Sequence, residues 1–407
     1  MNAHSPIQQF AIRHNQLAIG GIELTRLVKR VGKTPFYAYD RLAIQQRMAN
    51  LRAAMPDDLS IYYALKANPM PAVVQLMAEL ADGFDLASAA EMKVALDTTM
   101  SPQNISFAGP GKRPEELAQA IAAGVTLNVE SFNELETIAQ LSTKLGITAS
   151  VAIRINPSFE LKSAGVKMGG GAKPFGIDEE QMPAVLRRVQ NLHLDFQGFH
   201  IYSGSQNLKA NALIEAQKKT IALALRLLDY CPKGFKKLNI GGGFGIPYFA
   251  GEQALNIEHI GEALDKEIQH LKTVLPDVEV IMELGRYLVG EAGVYVCQIV
   301  DKKISRGQVY LVVNGGLHHH LAASGHFGQV IRKNYPVAIG NKIYAEQEET
   351  VNIVGSLCTP LDVIADKVSL PVAEVGDLVV VYQSGAYGLT ASPNHFLSQP
   401  NAEEVLV

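Results

Sequence analysis

Eight short apolar runs alternate with helix-period segments between about residues 59 and 285. The apolar runs lie at 61–65, 84–87, 104–107, 125–129, 150–155, 195–201, 236–240 and 278–283. The helix-period segments lie near 71–80, 89–97, 114–123, 131–145, 178–190, 209–230 and 257–274. This alternation is typical of a parallel sheet, and a closed (β/α)8 barrel takes about 250 residues. The sequence therefore predicts an α/β fold with a (β/α)8 TIM barrel, in preference to an open doubly wound sheet.

The pattern changes after residue 290. Segments 294–304, 308–316, 350–355 and 377–388 are rich in β-formers and have no long helices between them. They predict a second, mostly antiparallel β-domain, to which the segment before the barrel could add a strand. We expect a barrel over residues 34–292 and a β-domain built from residues 1–33 and 293–407.

Composition excludes several classes of protein. The 407 residues are 47% hydrophobic with a formal net charge of -4, so neither nucleic acid nor an anionic membrane is an expected partner. The three cysteines are far apart, which indicates neither a disulfide framework nor a CxxC metal site. The polar N-terminus lacks a signal-peptide core, and no run of 18 apolar residues is present. A reduced, cytoplasmic protein is expected.

Polar residues and glycines follow six of the eight predicted strands. The active site of such a barrel forms at the carboxyl ends of its strands, where the sequence has Lys66, Asp85, Arg154, His200, the glycines Gly241, Gly242 and Gly243, and Glu283. Each could singly be a loop residue or a solvated charge. Lys66 could also bind an anion or, with a lowered pKa, form a Schiff base.

Together these residue types match one cofactor. A glycine run directly after a strand lets the backbone approach a phosphate, and it fits neither a nucleoside-triphosphate loop nor a dinucleotide fingerprint. His200 could be a core histidine or could stack on a ring, and a buried Glu283 needs a partner such as a protonated ring nitrogen. An amine, a phosphate cradle, a flat imidazole and a buried acid predict pyridoxal 5'-phosphate.

Motifs along the chain strengthen this prediction. The segments YYALKAN, FDLASAAE, RINP, GFHIYSGSQ, GGGFG, ELGRY, CTPLD and SGAYG resemble the fold-type III pyridoxal-phosphate decarboxylases, which act on diaminopimelate, ornithine or arginine and have an alanine-racemase-like barrel. The segments KMGGGAKPFG and FGQVIRKNYPVAIGN are more similar to the decarboxylases associated with exosortase A systems, whose relatives act on glutamyl groups carried by an acyl carrier protein.

The resemblance implies a role for each matching residue. Lys66 would hold the cofactor as a Schiff base, Glu283 would pair with the pyridine nitrogen and His200 would stack on the ring. The implied phosphate ligands are Ser203, Gly241, Gly242, Gly243, Arg286 and Tyr387, and the implied supporting residues are Asp85, Glu91 and Arg154. Cys358 would protonate the product carbon from the second subunit of a homodimer. The implied substrate contacts are Tyr287, Thr359, Asp362 and Tyr387.

The implied reaction is α-decarboxylation of an amino acid to an amine, which would make the protein a carboxy-lyase. A racemase of this fold places an arginine against the ring nitrogen, so Glu283 disfavours racemisation. A catalytically inert homologue would be expected to lack Lys66 or Cys358.

Two positions of this chain differ from the family pattern and bear on the substrate. Where diaminopimelate and ornithine decarboxylases carry an acid after the cysteine, this chain has Thr359, and segment 317–329 lacks the arginine of the diaminopimelate enzymes. Both differences favour a substrate with an uncharged or carrier-linked distal end. A free diamino acid is the alternative.

Two further segments have no assigned role in this reading. Consecutive residues on a strand point to opposite faces, so His318, His319 and His320 disfavour a metal site and predict a pocket rim or plain surface. The glycine-rich loop 167–176 could be a lid or a simple connection.

Overall fold

The computed structural model describes residues 7–162, 165–231, 234–329 and 331–407. The chain forms two compact units. The barrel unit comprises Met48–Ile246 and Ala254–Gly285, and the β-unit comprises the described residues up to Arg47 together with Pro247–Gln253 and Arg286–Val407.

The N-terminal segment belongs to the β-unit. Its elements are β1 (Ala11–Arg13), β2 (Gln16–Ile19), β3 (Ile22–Glu23), α1 (Leu24–Val31) and β4 (Phe36–Tyr39), followed by α2 (Arg41–Ala54). Strands β1 to β3 form a small antiparallel sheet. Helix α1 ends at Gly32, whose φ of 94° is the left-handed conformation that favours glycine at a helix terminus.

Eight parallel strands close the barrel. The strands of this unit are β5 (Leu59–Ala64), β6 (Gly83–Leu86), β7 (Ile105–Phe107), β8 (Thr126–Val129), β9 (Ser150–Asn156), β10 (Val166–Lys167), β11 (Ile177–Asp178), β12 (Asp195–His200), β13 (Gly204–Ser205), β14 (Lys237–Gly242) and β15 (Glu279–Leu284). The order around the barrel is β5-β6-β7-β8-β9-β12-β14-β15, and β15 pairs with β5 to close it. The carboxyl ends of all eight strands therefore meet at one rim.

Helices connect these strands. They are α3 (Pro71–Leu80), α4 (Ala89–Leu96), α5 (Pro114–Ala123), α6 (Phe132–Leu145), α7 (Met182–Asn191), α8 (Ala210–Arg226) and α9 (Ile257–Val274). Local chemistry fixes several of their ends. The Ser88 and Ser131 hydroxyls accept the backbone N–H groups of Glu91 and Glu134 at the starts of α4 and α6. These caps set where the preceding strand ends and which residues reach the rim.

The rest of the β-unit forms a larger mixed sheet. Its elements are α10 (Arg286–Val289), β16 (Gly293–Ser305), β17 (Gln308–Val313), β18 (Val337–Ile339), β19 (Glu348–Val354), β20 (Val363–Pro371), β21 (Leu378–Val381) and β22 (Glu403–Leu406). Strand β16 pairs antiparallel with β4, β17 and β21, whereas β17–β19 and β22–β4 are parallel. Leu24, Phe36, Val294 and Val380 pack in one buried cluster, so the N-terminal segment contributes to the core of this unit.

The predicted barrel with a mostly antiparallel β-domain is confirmed. One difference concerns the N-terminal boundary, which the sequence places at residue 33. Strand β4 lies beyond it but pairs with β16, and the β-unit extends to Arg47. Helix α2 was not foreseen from the sequence. The exact boundaries of the two domains stay a prediction.

Candidate active site

Lys66 lies at the carboxyl end of β5, in a 3-10 turn over Leu65–Ala67. Its Nζ is 3.5 Å from Asp85 Oδ2 at the end of β6, and Asp85 Oδ1 accepts a hydrogen bond from Ser106 Oγ at 3.0 Å. Burial raises the pKa of Asp85, and the nearby Glu283 charge raises it further, against the opposing charge of Lys66. The Lys66 ammonium is thus placed at the rim beside a buried acid.

Glu283 and His200 meet at the ends of β15 and β12. Glu283 Oε2 lies 3.1 Å from His200 Nε2 and accepts a hydrogen bond from Asn239 Nδ2 at 3.0 Å. Burial alone would raise the pKa of Glu283, but the positive charges of His200, Lys66 and Arg154 outweigh it and lower that pKa. Glu283 is therefore a carboxylate at neutral pH, fit to hold a protonated ring nitrogen.

The His200 ring is buried, and its two nitrogens make no hydrogen bond to the residues that the structure describes. Nε2 has the Glu283 carboxylate as a partner at ion-pair distance, so Nδ1 is the ring nitrogen left without a partner among the described residues. Buried polar atoms without partners are uncommon in proteins. They are expected where a ligand supplies the missing contacts.

The glycine run at the end of β14 is in direct contact with the loop after β12. Gly241 and Gly243 have φ angles of 70° and 79°, and a Cβ at Gly241 would lie 2.8 Å from the Ile201 carbonyl oxygen. Gly241 N–H donates to Asn239 Oδ1 at 2.8 Å, and Gly243 O accepts from Asn207 N at 3.0 Å. Only glycine fits this close approach of two rim loops. The resulting backbone concavity has the form of a cradle for a small anion.

Ser203 connects this cradle to the loop after β9. Its carbonyl oxygen accepts hydrogen bonds from Met168 N and Gly169 N, both at 3.1 Å. The same loop is bound to Asn156, whose side chain contacts Gly170 N and Gly171 O. Residues 168–171 of the glycine-rich segment are therefore hydrogen-bonded to the rim.

Arg154 completes the rim at the end of β9. Its Nη1 donates to Glu130 Oε1 at 2.8 Å, and Glu130 also accepts the backbone N–H groups of Gly109 and Gly176. Glu91 is largely buried and accepts Ala87 N–H at 2.7 Å; burial raises its pKa. Arg154 and Asp85 thus have fixed partners around the rim.

Two other predicted residues come together in the β-unit. The Arg286 guanidinium lies over the Tyr387 ring, 4.5 Å from its centroid, and donates to Tyr248 Oη at 2.8 Å. Tyr387 has a φ of 53°, which is uncommon for a bulky residue and is typical of functional positions. Tyr287 is buried, with the Arg47 guanidinium 4.8 Å from its ring centroid.

The loop after β19 carries Cys358, which is exposed, and Thr359, which is half-buried. Asp362 is only 2% exposed. Its Oδ1 accepts Leu317 N–H at 2.6 Å and its Oδ2 accepts Leu357 N–H at 2.9 Å. A Cβ at Gly355 would collide with this carboxylate. Asp362 therefore braces the cysteine loop to the segment after β17, a contact that the sequence did not reveal.

The sequence expectations for residues 318–320 were partly wrong. Histidines 318 to 320 lie in a turn, so the strand argument does not apply, and all three are buried, which excludes plain surface. Hydrogen bonds explain the burial of two of them, because His319 contacts Tyr295 Oη and Pro400 O while His320 contacts Ser384 Oγ. The His318 ring nitrogens make no such bond within the described residues.

Further polar residues that the sequence did not reveal support the predicted site. Asn239 links Glu283 to the glycine run, and Glu130 orients Arg154. Ser106 holds Asp85, and Lys112 forms a buried ion pair with Glu134 at 2.7 Å. The sequence signal that could have indicated these residues is an asparagine or an acid at the end of a predicted strand.

The described residues contain neither a metal-ligand cluster nor a membrane-spanning helix. No group of three or more His, Cys, Asp or Glu side chains is arranged to hold a metal ion there. None of the helices in that part of the chain combines the length and apolar character needed to cross a lipid bilayer.

Comparison with known proteins identifies the family. The profile described as "Pyridoxal-dependent decarboxylase, pyridoxal binding domain" matches residues 41–290. The L-glutamyl-[BtrI acyl-carrier protein] decarboxylase of Niallia circulans is 40% identical over 390 residues, 94% of this chain and 91% of that protein. The diaminopimelate decarboxylase of Aquifex aeolicus is 31% identical over 400 residues, 97% and 91% of the two chains.

Solved structures agree with these relatives. The diaminopimelate decarboxylase of M. jannaschii in co-complex with L-lysine superposes with a TM-score of 0.87 at 26% identity, covering 98% of this chain and 92% of that one. The buried Glu283 and His200, Lys66 and the glycine cradle are consistent with the parts of pyridoxal phosphate. The predicted family, cofactor and enzyme class are confirmed: the chain belongs to the pyridoxal-dependent decarboxylases, which are carboxy-lyases.

Proposed function

We propose that this enzyme removes the α-carboxylate of an amino acid whose distal end is uncharged, as in a glutamyl group carried by an acyl carrier protein. The observation that carries the reaction type is the buried Glu283 carboxylate, whose pKa is lowered beside His200 and Lys66. An ionised acid at that point keeps a pyridine nitrogen protonated. A protonated ring favours loss of carbon dioxide over racemisation.

Three observations support the substrate class. The relative that is 40% identical acts on an L-glutamyl group attached to an acyl carrier protein. Position 359 is threonine rather than an acid, and residues 317–329 contain no arginine. Position 359 therefore offers no carboxylate to a distal ammonium, and residues 317–329 offer no arginine to a distal carboxylate.

Chemistry fixes how such a substrate must be linked. An enzyme that removes the α-carboxylate needs that group free, so a glutamyl group must be joined to its carrier through the side-chain carboxyl. That link is a thioester, which is uncharged. The amine product then stays attached to the carrier.

We propose the following roles for the cofactor site. Lys66 binds the aldehyde carbon, Glu283 binds the ring nitrogen and the His200 ring lies against the face of the pyridine. The proposed phosphate ligands are Ser203, Gly241, Gly242, Gly243, Arg286 and Tyr387. Asp85 and Arg154 orient the charges around them. When bound, pyridoxal phosphate supplies an electron-withdrawing ring that accepts the electron pair left on Cα.

The remaining residues handle the substrate and the proton. The bond between Cα and the carboxyl carbon breaks, carbon dioxide leaves, and the Cys358 thiol donates a proton to Cα before it is reprotonated from solvent. Tyr287, Thr359 and Tyr387 are the proposed substrate contacts. The exposure of Cys358 supports a thiol that acts in a second subunit, and we infer a cytoplasmic homodimer in which the barrel of residues 34–292 binds the cofactor.

Measurement of carbon dioxide release tests this proposal. The purified holoenzyme is assayed with γ-glutamyl thioesters of an acyl carrier protein and of pantetheine. Free glutamate, lysine, ornithine, arginine and meso-diaminopimelate are assayed in parallel. We expect release only from the thioesters. Strong turnover of any free diamino acid would overturn the substrate class, and Lys66→Ala provides the inactive control.

A further inference from the structure

His318 stands out because it is a buried imidazole without partners. The residue is 0% exposed, and neither Nδ1 nor Nε2 makes a hydrogen bond within the described part of the chain. A buried polar group that has lost water and gained no partner typically costs about 1–3 kcal/mol. The cost is removed if a ligand or an ordered water binds these nitrogens.

The neighbours of His318 hold its ring in place. The His319 ring lies 3.8 Å away, centroid to centroid, and is tilted by 44° to it. His319 Nε2 lies 2.8 Å from Pro400 O, which can only accept, so Nε2 carries the proton. Its Nδ1 then accepts from Tyr295 Oη at 3.1 Å. His318 is therefore packed against a ring that is itself fixed on both sides.

The Asp362 brace connects His318 to the cysteine loop. One oxygen of this carboxylate binds the N–H of Leu317, which precedes His318, and the other binds the N–H of Leu357, which precedes Cys358. The backbone attachments of His318 and Cys358 are thus held by opposite oxygens of a single side chain. The histidine and the proposed proton donor share one neighbourhood of the β-unit.

The charge state of His318 limits what it can recognise. Burial and the adjacent His319 lower its pKa to about 4, so the ring is neutral at physiological pH. A neutral imidazole offers one N–H donor and one acceptor. It suits a carbonyl or amide group and cannot form an ion pair with a carboxylate.

We propose that His318 is a specificity-determining residue that donates a hydrogen bond to the uncharged carbonyl at the distal end of the substrate. This inference rests on the proposed function, because it names the group that reads the thioester or amide link. It also gives His318 the missing partner. A substrate with a charged distal carboxylate or ammonium would gain no ion pair at this position.

Kinetics of holoenzyme variants test the proposal. His318→Phe keeps a flat ring against His319 and removes both nitrogens, whereas His318→Gln restores a donor and an acceptor. With γ-glutamyl-pantetheine thioester we expect His318→Phe to raise KM by about tenfold or more, with kcat changed much less. His318→Gln should recover most of the loss. His14→Phe, at an exposed histidine of the same unit, is the matched control with wild-type KM.

Inhibitor binding separates this inference from the proposed function. We expect 4-aminobutanamide to inhibit the wild type more strongly than 4-aminobutanoate, and His318→Phe to abolish that difference. A His318→Phe enzyme with wild-type KM and an unchanged inhibitor preference would overturn the role of His318 while leaving the carrier-linked substrate intact. If His318→Phe does not fold, His318→Gln and His318→Ala replace it. A wild-type KM for His318→Gln together with a raised KM for His318→Ala would then support the role of His318. A wild-type enzyme that does not turn over the thioesters would overturn the proposed function itself, before the role of His318 is tested.

Discussion

Replacement of Asp362 by asparagine tests the brace between the cysteine loop and the segment after β17. The carboxylate accepts two backbone N–H groups, at 2.6 Å from Leu317 and 2.9 Å from Leu357. Asparagine has nearly the same shape but only one oxygen, so its NH2 group must face one of those two donors. One charge-assisted hydrogen bond is lost, and one buried N–H is left without an acceptor.

The magnitude follows from these two losses. A hydrogen bond to a charged group contributes about 1.5–3 kcal/mol, and a buried donor left unsatisfied costs about 1–3 kcal/mol. Because the two terms overlap, we expect Asp362→Asn to lower the free energy of unfolding by about 2–4 kcal/mol. Loosening the loop beside Cys358 should also lower kcat by about tenfold, with a smaller change in KM.

Urea denaturation and steady-state kinetics measure the two effects. Asp366→Asn is the matched control, because Asp366 is exposed on β20, the strand that directly follows Asp362, and should change stability by less than about 0.5 kcal/mol. An Asp362→Asn enzyme as stable as the Asp366→Asn control would refute the brace. A stability loss with unchanged kcat would leave the brace in place but remove its role in positioning Cys358.

Three further predictions concern charge and proton transfer. Glu283→Gln should lower kcat/KM by about 10–10³-fold, since loss of an adjacent opposite charge changes the pKa of the ring nitrogen by about 1–3; wild-type kinetics would contradict the role of Glu283. His320 is neutral in the folded protein, because its Nδ1 accepts Ala323 N–H while Nε2 donates to Ser384 Oγ, and burial lowers its pKa to about 3. The unfolded state therefore binds more protons below pH 6.5, and stability should fall between pH 7 and pH 5 by about 2 kcal/mol from this group; urea midpoints that show the same pH dependence in His320→Gln would argue against it. Cys358→Ser should keep the cofactor absorbance but lower kcat by about 10–100-fold, because a hydroxyl is a weaker acid than a thiol; unchanged turnover would exclude the thiol as proton donor.

The barrel was predictable because its signal is local. Each strand is a short apolar run, each helix has a periodic apolar face, and some helices have a capping residue, as at Ser88 and Ser131. Strand ends could then be read for chemistry, and the structure brings Lys66, Asp85 and Glu283 to one rim, as expected for a parallel barrel. Local pattern and chain order were sufficient for this part.

The rest depended on contacts between residues far apart in the chain. Nothing near Asp362 indicates that its acceptors face Leu317 and Leu357, and nothing near Glu283 indicates that Asn239 binds it. The burial of His319 likewise follows from a distant partner, Tyr295 on β16. Sequence could propose chemically useful residues, but not which polar atoms were already bound and which, as at His318, were not.

The central claim is that Lys66 carries pyridoxal phosphate at the rim of the barrel. Reduction of the holoenzyme with borohydride, followed by peptide mapping by mass spectrometry, measures this directly. We predict one reduced pyridoxyl phosphate group per chain, attached to Lys66, and its loss together with the near-visible absorbance band in Lys66→Ala. A label on another lysine, or a band that persists in Lys66→Ala, would contradict the account.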